Sequence, residues 1–129
     1  MFVTIRLISD KSYFDFSSLI QGNSMAWVYL ILAGFMEIGW PVGLKIAQDE
    51  KTRILGIVIA IFFMAISGLL LWMAQKQIPI GTSYAVWTGI GAAGTFLVGV
   101  FFYGDPSTLA RYIGILLIIA GVGTLKLAH

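Results

Sequence analysis

The sequence predicts an all-α membrane protein with four transmembrane helices per chain, and three observations carry that prediction. Of the 129 residues, 59% are hydrophobic and 11% are charged, where soluble domains of this size average about 45–50% apolar and about 25% charged. So few charges cannot cover a surface that faces water. Four apolar segments, each near the length of about 20 residues that a spanning helix needs, follow one another through short connections. Finally, those segments contain a single acidic residue, Glu37.

The elements follow in order. Residues 1–24 mix Arg6, Asp10, Lys11 and Asp15 with short apolar runs. They lack the uninterrupted apolar stretch and small-residue cleavage site of a signal peptide, and read as a poorly ordered or amphipathic N-terminal extension. Met25-Ala26-Trp27 looks like a natural start, so Met25 is the expected initiator of a four-helix domain over 25–129. The first span is expected over 26–44 and the second, which has no charge, over 54–74. The third, also uncharged, covers 78–103, long enough to tilt or bend. Pro79 is expected in its first turn, where a missing N–H is tolerated. The fourth covers 109–127, with Arg111 and Lys126 near its ends, placed to snorkel toward headgroups.

The connections agree with this reading. Residues 47–53 form the only sizeable charged loop, and Gly104-Asp105-Pro106-Ser107 is a turn rich in breakers. Trp27, Tyr29, Trp72, Tyr103 and Tyr112 fall near helix ends, as interfacial aromatics do. Arg6, Lys11, Lys76 and Lys126 fall on one side of the membrane, and Lys45, Lys51, Arg53 and Arg111 on the other. That balance gives the positive-inside rule no grip. Either orientation is set by something else, or both orientations are inserted.

Several function classes are excluded. The basic residues are scattered, so nothing argues for nucleic acid. Cysteine is absent, which removes thiolate chemistry and disulfides. The single histidine, His129, is terminal and has no ligand neighbour, so no metal or cofactor is expected. There is no second buried acid and no phosphate-binding loop, so enzyme readings fail for want of parts.

Glu37 is the candidate site. An acidic side chain at the bilayer centre costs about 2.5–3.5 kcal/mol on insertion scales, and such residues face a cavity, a partner or a substrate path. The alternative is a neutral acid that only ties helices together. Lys45 lies two turns on, about 12 Å away at 1.5 Å per residue, and snorkels rather than pairs. Trp40 at i+3 and Ala33 at i−4 share the face of Glu37. In the third helix Tyr84 and Trp87 stand at i and i+3, which fits packing or an aromatic wall for a cation. Ser67, Thr82 and Thr88 offer hydroxyls. Gly89, Gly91 and Gly94 permit close helix approach or a kink, expected at Gly89 and Gly91. Gly114, Leu117 and Gly121 form a stripe on the fourth helix that suits a helix–helix interface, between chains or within one.

Glu37-Ile38-Gly39-Trp40, the run from Pro79 to Ala92, and the stripe from Gly114 to Val122 together resemble the small multidrug resistance family of proton-coupled exporters. The resemblance covers Met25 to Leu127. Trp40, the Trp-Thr-Gly-Ile-Gly-Ala run at 87–92 and Gly43-Leu44-Lys45 are similar to the family's guanidinium-exporter subtype. The resemblance implies an inner-membrane antiporter working as an antiparallel, dual-topology homodimer, with a heterodimer as the variant. It makes Glu37 the substrate and proton site, Trp40 and Ser67 its hydrogen-bonding partners, and Tyr84 and Trp87 aromatic walls. Gly114, Leu117 and Gly121 become the dimer interface. Protons and guanidinium then compete for two facing carboxylates. A quaternary ammonium exporter of the same architecture is the alternative, and a non-transporting accessory subunit a more distant one. Pro41 departs from the pattern and is expected to disturb the helix beside the site.

Overall fold

The computed structural model describes residues 16–128, with side chains from residue 24 onward. The expectations for Arg6, Asp10, Lys11, Asp15 and His129 lie outside the described residues. The described chain forms four helices, α1 (Phe16–Ile46), α2 (Arg53–Ala74), α3 (Ile80–Tyr103) and α4 (Leu109–Ala128). All four contain stretches long and apolar enough to cross a membrane, the stretch in α1 beginning at Ser24. The protein is a multi-pass inner-membrane protein. Side chains such as Ile54, Phe102 and Leu127, which would be misplaced on a surface facing water, here face the space that lipid occupies.

Two boundaries differ from expectation. α1 starts at Phe16 rather than at 26. No proline interrupts residues 16–40, and extending an existing helix costs far less than nucleating one, so the backbone helix runs past the apolar span. α3 starts at Ile80, not 78, with Pro79 outside the first turn as its N-cap (φ −53°, ψ 142°). The residue before a proline is steered away from the helical region. Ile78 therefore stays in the connection, where it is buried. α1 continues through Pro41 to Ile46.

α1 is the central element, packed along α2 and α3, while α4 leans on α3. Helices in lipid gain little from burying apolar surface against one another, so close backbone approach through small residues carries the packing. At the α1–α2 crossing, a Cβ added at Gly43 would stand 2.6 Å from the Ala60 nitrogen and 2.8 Å from the Gly56 oxygen. One added at Gly56 would strike the backbone of Ala47 and Gly43. Only hydrogen fits between these backbones. At the opposite end of the bundle, Ala26, Trp27, Leu30, Ala74, Ile78 and Val86 form the apolar core, with Val122 and Leu125 of α4 against it.

Lysines flank the bundle as the pattern predicts. Lys76 lies 4.2 Å from the ring centre of Trp72, Lys126 lies 5.7 Å from that of Trp27, and Lys45 lies 5.8 Å from that of Tyr103. Each couples a headgroup-level charge to an aromatic at the same depth.

The crossing gives a direct test. Gly56→Val must push α1 and α2 apart and is expected to cost at least about 1–3 kcal/mol, the usual range for overpacking. Gly68, where a Cβ meets nothing within 4 Å, tolerates Ala without loss. Thermal unfolding of the two variants in one detergent checks the contrast.

Candidate functional site

Three helices bring one polar cluster together inside the bundle. Glu37 on α1 is half-buried and faces α3, where Gly91 opens room for it. A Cβ at Gly91 would lie 2.5 Å from Cγ of Glu37, so any larger residue there displaces the carboxylate. Ser67 on α2 is fully buried beneath it.

The Ser67 hydroxyl organises the cluster. Its Oγ lies 3.0 Å from Oε2 of Glu37 and 2.9 Å from the Ala33 carbonyl oxygen, both acceptors, and it receives a hydrogen bond from Nε1 of Trp87 at 2.8 Å. A serine hydroxyl has one proton and two lone pairs. With the carboxylate ionised, that proton points to Glu37. With the acid protonated, Glu37 donates to Oγ, and the serine proton turns to Ala33. Trp87 donates in both cases. Both protonation states of Glu37 are thus served without stranding a polar group, which inside a membrane is the expensive outcome.

The other expected site residues surround this cluster. Tyr84 and Trp87 stand with ring centres 5.4 Å apart and planes tilted by 55°. Tyr84 is exposed, whereas Trp87 packs against the apolar core. Trp40 lines a cavity of about 280 Å³ together with Glu37, Pro41, Thr88, Ala92 and Thr95. The indole that enters the described hydrogen-bond network is that of Trp87, acting through Ser67, rather than Trp40. Thr88 spends its hydroxyl on its own helix, donating to the carbonyls of Tyr84 (2.8 Å) or Ala85 (3.2 Å).

The glycines and the α4 stripe separate by role. Gly89 sits under α4, where an added Cβ would lie 2.5 Å from Val122, and Gly91 sits under Glu37. Both mark close approach. Gly114 and Gly121 have nothing within 4 Å of an added Cβ, and Leu117 is 68% exposed. Among the described residues the stripe has no partner, and none of the described α4 residues is buried. Among the described residues, no three His, Asp or Glu side chains gather to hold a metal ion.

Sequence reasoning missed Thr95 and the Ala33 carbonyl. Thr95 was open to discovery, because 88, 91, 92 and 95 recur at i, i+3, i+4 and i+7 on one helix face. The carbonyl was not, since a backbone acceptor leaves no trace in residue type.

A family model described as Small Multidrug Resistance protein matches residues 25–118. A guanidinium exporter of Yersinia pseudotuberculosis is 45% identical over 104 residues, 81% of this chain and 99% of the relative. Guanidinium exporters of Salmonella typhimurium and Citrobacter freundii are 42% and 40% identical, each over 81% of this chain and 98% of their own length.

The cluster predicts a non-additive mutant pair. Ser67→Ala strands the buried Trp87 N–H and is expected to cost about 1–2 kcal/mol, the upper range for hydrogen bonds between membrane helices. Adding Trp87→Phe to Ser67→Ala costs less than Trp87→Phe alone, because the hydrogen bond is already gone. Denaturation of the four proteins in a double-mutant cycle checks it.

Proposed function

The chain belongs to the small multidrug resistance family, and from that premise we propose that it is a proton-coupled antiporter exporting guanidinium and related small guanidinyl cations. The observation that carries this reading is the carboxylate of Glu37, half-buried and held by Ser67 at the edge of a cavity. The names of the relatives support the choice of cation.

The chemistry follows from what a carboxylate can hold. Ionised, it accepts two parallel N–H bonds from a planar guanidinium, a charge-assisted fork that is stronger than neutral pairing. Protonated, it has lost both the charge and one acceptor. Proton and cation therefore exclude each other at Glu37, and an exchanger needs that exclusion. Tyr84 and Trp87 offer π-faces to the cation, and Trp40 borders the same cavity. A quaternary ammonium has no N–H for the fork, which is why the small, donor-rich cation is preferred.

One chain supplies one such carboxylate, so the working unit in this reading is an antiparallel homodimer. The stripe of Gly114, Leu117 and Gly121, unpartnered among the described residues, supports α4 as the dimer contact. Over residues 25–129, Lys76 and Lys126 stand against Lys45, Lys51, Arg53 and Arg111, a weak two-against-four bias that is compatible with insertion in both orientations. Residues 25–129 are the transporting unit.

Purified protein in proteoliposomes tests the reading. Guanidinium is expected to drive proton movement, and tetraethylammonium to drive far less. Glu37→Gln removes the charge and should lower transport by about 30-fold or more, since losing one partner of a buried charged pair costs about 2–5 kcal/mol. Transport that favours tetraethylammonium would instead assign a quaternary ammonium exporter. Full activity in Glu37→Gln would overturn the mechanism, and no transport of either cation by the wild-type protein would point to an accessory role.

A further inference from the structure

Thr95 Oγ1 is a buried side-chain polar atom that no protein group satisfies in the described structure. Threonines within helices normally donate to the carbonyl one turn back, as Thr88 and Thr124 do here. Thr95 lines the Glu37 cavity and also a second one, of about 160 Å³, bordered by Val42, Lys45, Val98, Tyr103 and Asp105. The two cavities share Pro41 and Thr95, so they meet at that pair. The far end is aqueous in character. Lys45 and Asp105 are both exposed, and Lys45 stands over the Tyr103 ring.

Pro41 adds an acceptor at the same level. A proline has no N–H, so the carbonyl one turn back, that of Glu37, lacks its helical donor. An unpaired hydroxyl therefore lies where the cavities join, on the same stretch of groove as Pro41, whose ring deprives the Glu37 carbonyl of its helical donor. A water bound there would satisfy the hydroxyl and could donate to that carbonyl. The opposite half of the bundle contrasts with this. There the tightly buried cluster of Leu30, Ile78 and Val86 closes the space between the helices with apolar side chains.

We propose that the groove between α1 and α3 is the aqueous access route to Glu37 from the membrane face that carries Lys45 and Asp105, with the Thr95 hydroxyl and the Glu37 carbonyl freed by Pro41 as its hydrogen-bonding waypoint. In the conformation described, the chain is then open toward one face and sealed by its apolar cluster toward the other. The role of Glu37 as proton and cation site rests on the function proposed above. The route itself does not, because it concerns where water reaches.

The lack of cysteine in the sequence makes the route directly measurable. Thr95→Cys and Val86→Cys each introduce one thiol into the full-length protein in lipid vesicles. A small charged methanethiosulfonate should modify the first at least about tenfold faster than the second, since thiols in dry apolar surroundings are inert. Equal rates overturn the route, whether or not guanidinium is transported. A second arm tests the hydroxyl. Thr95→Val keeps the shape and should slow guanidinium-driven proton flux at saturating guanidinium by about fivefold, the scale of one lost hydrogen bond. Equilibrium guanidinium binding should stay unchanged, and Thr95→Ser should restore the flux. Wild-type flux in Thr95→Val, or lost binding in place of slowed flux, overturns the waypoint. A lack of guanidinium transport by the wild-type protein, beside fast labelling of Thr95→Cys, would sink the proposed function and leave the route standing.

Discussion

The hydrogen bond between Ser67 and Glu37 is the interaction on which the rest of the bundle depends. A carboxyl group inside a membrane needs a partner in whichever protonation state it holds, and lipid offers none. Ser67 sits on a different helix, so the bond forms only if α1 and α2 approach closely. The facing Gly43 and Gly56 provide that approach, about two turns from Glu37 along α1 and about three from Ser67 along α2, toward the connecting loop. Ser67 must in turn be oriented, and the Trp87 indole does so from α3. Gly91 then lets α3 close over the carboxylate without striking it. Backbone packing that could be mistaken for generic membrane architecture is thus the geometry that keeps one acid satisfied.

Much of the fold was legible because the membrane restricts what a sequence can do. Apolar length fixes the spans, and Asp-Pro or Gly-rich breaks fix the turns, so α2 and α4 match expectation to within a residue at each end. The start of α1 was not legible from hydropathy, because helix continuation beyond the apolar span leaves no compositional mark. The members of the polar cluster were legible as a set, since few polar side chains occur within the spans. Which of them touch was not. Trp40 and Trp87 are equally plausible donors on spacing, and the choice depends on the rotation of each helix about its axis, which packing decides. Thr95 escaped notice because a hydroxyl in a helix is ordinarily absorbed by its own backbone; its significance lies in not being so absorbed.

The chain has the character of half a machine. Its α4 stripe meets no partner among the described residues, its site has one carboxylate, and its cavities lie in a groove along one side of α1 and α3. In the proposed dimer, a second, inverted copy answers all three features together. It would cover α4, pair the carboxylates and direct one groove toward each membrane face, of which an exchanger opens one at a time. In that dimer, inversion would supply the two-sidedness that one short chain lacks.

The central claim is that proton and cation exclude each other at Glu37. Calorimetric titration of the purified protein with guanidinium, in buffers of differing ionisation enthalpy and across pH, measures this directly. The account predicts that binding weakens as pH falls and that proton release per bound cation grows over the same range. Both effects should vanish in Glu37→Gln. Guanidinium binding that releases no proton at any pH would contradict it.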